Sequence, residues 1–138
     1  MNRLDLQQLA EDRIADAQAL LDAGRWSAAY YLAGYAVECA LKACVAKQTN
    51  LHDFPDKDRT HRAYTHSLVG LVTLALLNED LHTTQRDANP SLYRYWQFVK
   101  DWSEQARYEQ LSEDKARRLF LAITDSDSGV LPWIKKNW

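Results

Sequence analysis

The chain holds little that would assign a function by itself. It has two cysteines, four glycines and three prolines in 138 residues. There is no glycine-rich phosphate loop and no Ser-His-Asp arrangement. Neither the cysteines nor the four histidines fall at a spacing suited to a metal, so no metal or other cofactor is expected. Cys39 and Cys44 share one predicted helix and point about 140° apart on it, which makes reduced, buried thiols the expectation rather than a bridge. A formal net charge of −2 gives no global drive towards nucleic acid or an anionic membrane, and any such contact must come from a local patch. The N-terminus is rich in Asp, Gln and Glu and lacks the apolar core of a secretory signal. Glu38 and Lys42 interrupt the only run that suggests a membrane span. A cytoplasmic protein without membrane contact is expected. No strand signal, internal repeat or low-complexity tract competes with a helical reading.

The most distinctive stretch is Trp26 to Val45, where Glu38 and Lys42 are the only charged residues among tyrosines, alanines and aliphatics. At about 100° per residue, Trp26, Tyr30, Ala33, Val37, Leu41 and Cys44 form one apolar stripe. Ala28, Ala29, Leu32, Ala36, Cys39, Ala43 and Ala46 form a second, small-residue sector suited to close helix approach. The remaining sector, roughly 60° wide, collects Tyr31, Tyr35, Glu38 and Lys42. A surface helix would be polar over more of its circumference, so this helix is expected at the centre of a bundle with one narrow polar strip.

The other elements follow from periodicity and caps. Leu6, Leu9, Arg13, Ala17, Leu20 and Leu21 mark a first helix that Ala23-Gly24 should stop, giving an antiparallel hairpin with the second. The stretch 48–64 is polar and reads as a loop. A third helix is expected from Thr65 to Leu77, capped by Thr65 or Ser67. Residues 78–88 are again polar. Asn89-Pro90 opens a fourth helix whose stripe is Leu92, Tyr95 or Trp96, Val99, Trp102 and Ala106, placed beside the small sector of helix two. Ser112 caps a fifth helix running to Asp125 with carboxylates in its first turn. The tail 126–138 is long enough for a short covering helix. The length fits one domain over 1–138 with one core.

The string Ala28-Ala29-Tyr30-Tyr31-Leu32-Ala33-Gly34-Tyr35-Ala36-Val37-Glu38-Cys39-Ala40-Leu41-Lys42-Ala43 resembles the second-helix signature of HEPN domains. His66-Ser67-Leu68 is similar to that family's entry to the third helix, and Ala106-Arg107-Tyr108 to its Arg-Tyr element, although Glu109 stands where many relatives have proline. The resemblance spans about 5–124 and implies an all-α, up-and-down bundle of about five helices. It also implies a nucleotide- or RNA-associated role, pairing with a minimal nucleotidyltransferase as toxin and antitoxin, and, in one branch, metal-independent ribonuclease activity. That branch uses an arginine, then four to six intervening residues, then a late-helix histidine.

His52, His61, His66 and His82 are the only histidines, so the late motif is not completed. Arg59 and His66 have the spacing but sit at the loop and the start of helix three. Their plainer expectation is that His66 caps or packs there while Arg59 is solvated. As catalytic candidates they carry the ribonuclease alternative, with His61 and Arg62 as basic neighbours. The ligand-binding candidates are Tyr31, Tyr35, Glu38, Lys42 and Arg107: tyrosines to stack, Lys42 and Arg107 to hold phosphate, Glu38 to orient. Two plainer readings stand beside these, a helix-stabilising Glu38–Lys42 pair one turn apart and an Arg107 paired with Glu104 or Glu109. Lys115, Arg117 and Arg118 read as a solvated face. Five tryptophans in so short a bundle point to a homodimer. A purely protein-binding domain is the third functional expectation.

Overall fold

In the computed structural model, which describes residues 1–49 and 57–138, two long helices form the first unit. Helix α1 (Arg3–Asp22) opens on a capping box: the Asp5 N–H donates to the Asn2 side chain at 2.9 Å and the Asn2 N–H to the Asp5 carboxylate at 3.0 Å. It stops at Gly24, whose φ of +74° is the left-handed conformation glycine takes without penalty. The Arg25 N–H then reaches the Leu20 carbonyl at 2.8 Å and the Gly24 N–H reaches Leu21 at 3.1 Å, the paired bonds of a Schellman turn. Helix α2 (Trp26–Lys47) returns along α1, so the expected hairpin is present. The inward line of α1 is Ala10, Ala17 and Leu21, all buried, while Leu6, Leu9 and Leu20 are only half-buried.

Helix α2 is central, packing on α1, on α7 (Glu113–Thr124), on α4 (Leu68–Leu74), on α8 (Val130–Lys135) and on a 3-10 turn at Glu104–Tyr108. Ala33, Val37, Leu41 and Cys44 of its apolar stripe are fully buried, as are Ala29, Ala36, Cys39 and Ala43 of its small sector. Ser67 caps α4 by accepting from the Gly70 N–H at 3.1 Å, Asn89 caps α6 (Pro90–Val99) from Leu92 at 3.2 Å, and Ser112 caps α7 from Lys115 at 3.2 Å. The tail helix α8 places Val130, Leu131, Trp133 and Ile134 in the core.

Several expectations need correction. Part of the supposed 48–64 loop is helical, as α3 (Lys57–Arg62); residues 50–56, with His52, lie outside the described residues. The third helix is shorter than Thr65–Leu77, because α4 begins after Ser67 and ends at Leu74. Residues 78–88 are helical through a π-turn at Asp80–Gln85 that runs into α5 (Arg86–Ala88). Tertiary anchors hold that turn: Leu81 is fully buried and the Trp133 indole N–H donates to Asp80 at 2.8 Å. The fourth helix stops at Val99, and α6 packs mainly on α7, α8 and the π-turn instead of along α2. The stripe residues beyond its end reach α2: Trp102 lies on Gly34, and Ala106 belongs to the 3-10 turn that packs there. Three of the five tryptophans, Trp96, Trp102 and Trp133, are buried, so they fill this chain's own core and no longer argue for a dimer.

Candidate functional site

The polar strip of α2 is built by helical spacing and completed by residues far along the chain. Tyr31 and Tyr35 stack one turn apart, with centroids at 6.2 Å and planes inclined by 11°. The Trp102 ring stacks on Tyr31 at 6.0 Å. It can lie that close to α2 because residue 34 is glycine: a Cβ there would sit 2.2 Å from the indole. A glycine inside a helix costs about 1 kcal/mol relative to alanine, and here the close approach of the indole accounts for it.

Further along the strip, Glu38 is only 2% exposed, the one buried charged residue among the described residues. A buried carboxylate needs compensating partners. Lys42 Nζ lies 3.4 Å from Oε2 and His66 Nδ1 2.9 Å from Oε1. The other ring nitrogen of His66 faces Glu104 Oε2 at 3.2 Å. A neutral imidazole carries one N–H, so both contacts are hydrogen bonds only when the ring is an imidazolium that donates from Nδ1 to Glu38 and from Nε2 to Glu104. In that state the four charges cancel. Because the two nitrogens point to carboxylates on opposite sides, the groups do not converge on one point, and no cluster able to hold a metal occurs among the described residues. Beneath Tyr35, burial pushes the Cys39 thiol up to about 11, and burial followed by the neighbouring Cys39 raises the Tyr35 phenol. Cys39 and Cys44 are both free and buried.

The segment from Trp102 to Leu111 crosses α2 as a strap. Trp102 sits on Gly34, Glu104 meets His66, and the Leu111 N–H donates to Ser27 Oγ at 2.8 Å. Between the strap and the start of α2 lies a groove of about 600 Å³. Arg25, Trp26, Ser27, Ala28 and Tyr31 line one wall, and Ala106, Arg107, Glu109, Gln110 and Leu111 the other. That volume falls in the ~300–1,000 Å³ range of small-molecule sites. The exposed Arg107 guanidinium packs 5.0 Å from the centroid of the Tyr108 ring, and Tyr108, with Tyr31 as a smaller contributor, raises its already high pKa. The first turn of α2 has no side-chain cap, which leaves N–H groups of a long helix at the end of the groove.

The five ligand candidates therefore divide. Tyr31 and Arg107 line the groove from opposite walls, whereas Tyr35, Glu38 and Lys42 belong to the adjoining strip, where Lys42 is engaged by Glu38. Glu104, a suggested partner of Arg107, is instead the partner of His66. Of the two catalytic candidates, Arg59 donates to the Leu74 carbonyl at 2.8 Å and is half-buried rather than solvated. His66 does not cap α4, a role Ser67 fills, and it bridges two carboxylates. Sequence reasoning missed Arg25 and Trp26 as groove residues and Glu104 as a member of the network. Gly34, a glycine inside a helix, is the sequence signal that could have located the approach of Trp102.

A family model described as HEPN domain matches residues 4–126. No curated protein matches the chain, and no solved structure does. No helix among the described residues is long and apolar enough to cross a membrane. With a match over most of its length and a fold made entirely of helices among the described residues, the chain belongs to the HEPN domain family.

Proposed function

We propose that this domain binds nucleotide or RNA in the groove between the start of α2 and the strap, as the cytoplasmic HEPN component of a two-gene toxin–antitoxin or defence module. The observation that carries the reading is the placement of Tyr31 and Arg107 on facing walls of one groove, with Arg25 beside them. An arginine can hold a phosphate bidentately, and an aromatic ring offers a stacking face that tolerates any base. The Glu38–Lys42–His66–Glu104 cluster does not share that role, because Lys42 and both ring nitrogens of His66 already face carboxylates. It is the framework that fixes the strap.

A homodimer and a minimal nucleotidyltransferase partner belong to the same proposal. Among the described residues, Met1, Leu4, Tyr64, Val69, Leu76, Tyr108 and Leu121 are the exposed large hydrophobic side chains available for such contacts. Light scattering tests the homodimer, and co-purification with the product of an adjacent reading frame tests the partner.

The binding test is titration of the purified chain with a fluorescent mononucleotide and a short single-stranded RNA at several salt concentrations, in the presence of chelator. The expected result is affinity that falls with salt, as phosphate contacts require, and that drops at least several-fold in Arg107→Ala. Chelator-resistant cleavage that disappears in both Arg59→Ala and His66→Ala, with folding intact, would replace the reading by a ribonuclease. Absence of any affinity would leave a protein-interaction domain.

A further inference from the structure

We infer that His66 is a pH-operated latch that holds the strap, and with it the Arg107 wall of the groove, against α2. Contacts that hold the strap on α2 are the Trp102 ring on Gly34 and Tyr31, the Leu111 N–H on Ser27, Arg107 on Tyr31, and Glu104 on His66. Of these, the Glu104–His66 contact is the one that includes an imidazole, the side chain suited to switching by a proton. The charged groups facing the imidazole are Glu38 from α2 and Glu104 from the strap, with Lys42 behind Glu38. Tyr35 and Cys39 lie next to Glu38 on α2, and the first turn of α4 contributes no charge.

The direction of release follows from burial. Loss of one proton to solvent leaves the ring a single N–H for two carboxylates. Glu38 is almost fully buried, and although Lys42 still pairs with Oε2, loss of the His66 donor would leave Oε1 an unsatisfied acceptor that water cannot reach, the costly outcome. Glu104 has a side chain 34% exposed and can turn to water at small cost. The remaining hydrogen therefore stays on Nδ1 with Glu38, and Nε2 presents a lone pair to Glu104. The strap end at Glu104 is released while its Leu111 end stays tied to Ser27. Low pH keeps the groove walled; high pH loosens the wall that carries Arg107. The consequence for ligand rests on the proposed binding groove, but the latch itself is measurable on the free protein.

The test is amide hydrogen exchange on the full chain without ligand from pH 5.5 to 8.5, corrected for the intrinsic pH dependence. Ala106 and Glu109 are the reporters, because their N–H groups hydrogen-bond within the strap to Ser103 and Ala106. In the wild type, protection at these two amides is expected to fall about tenfold across the range relative to amides in α2, as expected for loss of one charge-assisted, partly exposed hydrogen bond. In Glu104→Gln, which leaves the Glu38–His66 contact in place, protection should be low and flat with pH. His66→Gln should behave in the same way and guards against an effect peculiar to residue 104. Flat protection in the wild type, or an unchanged pH dependence in Glu104→Gln, overturns the latch. If the latch holds while nucleotide and RNA fail to bind, the groove reading fails alone. If ligand binds with no pH effect on the strap, the latch fails alone.

Discussion

The carboxylate of Glu38 and the imidazole of His66 meet at 2.9 Å although 28 residues separate them in the chain. This contact ties the central helix to the start of α4 and explains how a nearly inaccessible glutamate is tolerated. A double-mutant cycle with Glu38→Ala and His66→Ala, followed by urea unfolding near pH 6, should give a coupling energy of about 1–2 kcal/mol. Additive effects would mean that the two side chains are not joined in solution.

Gly34 and Trp102 yield a steric prediction. Gly34→Ala places a methyl group inside the indole ring, so the ring must move; a loss of about 1–3 kcal/mol is expected, with a change in Trp102 emission. Trp102→Phe should be milder than Trp102→Ala, because phenylalanine keeps most of the buried ring volume and gives up no hydrogen bond, the indole Nε1 having no partner among the described residues. Stability and emission unchanged in Gly34→Ala would show that the indole does not rest on α2.

How far the sequence anticipated the molecule depends on the range of each interaction. Ser67, Asn89 and Ser112 were legible as caps because each bonds an N–H three residues away. The Tyr31–Lys42 strip was legible because one helical period generates it. Its partners were legible only in part: Trp102 was expected against helix two, though on a longer fourth helix, whereas Glu104 and His66 come from segments that no periodicity connects to α2. The π-turn at Asp80–Gln85 escaped for a similar reason: one buried leucine and a tryptophan from α8 hold it, leaving no apolar stripe to read.

Leu76 is the one non-glycine residue with positive φ among the described residues, at 63°. It ends α4 with the same paired bonds that Gly24 makes after α1: the Leu77 N–H to Val72 at 3.0 Å and the Leu76 N–H to Thr73 at 3.1 Å. Its side chain is 66% exposed, so little burial offsets the strain. Leu76→Gly should therefore raise stability by up to about 1 kcal/mol, read as a higher urea midpoint with an unchanged slope. A lower midpoint would indicate that the leucine side chain makes a stabilising contact.

The thiols give a prediction at alkaline pH. Burial pushes both Cys39 and Cys44 up to about 11, against about 8.5 for a free cysteine. The folded state thus favours the protonated thiol. This contribution is complete below about pH 8.5 and is lost as pH rises towards 11. At pH 8 an aromatic disulfide reagent should modify neither cysteine until the protein is unfolded; rapid modification of the native chain would contradict their burial.

The central claim, that ligand enters the groove between the start of α2 and the strap, is tested most directly by backbone amide NMR during titration with a mononucleotide or short RNA. The account predicts shift changes concentrated at 24–31 and 106–111, and their loss in a folded Tyr31→Ala, Arg107→Ala double variant. Shifts centred on 57–66 with the groove unaffected, or an unchanged pattern in the double variant, would contradict it.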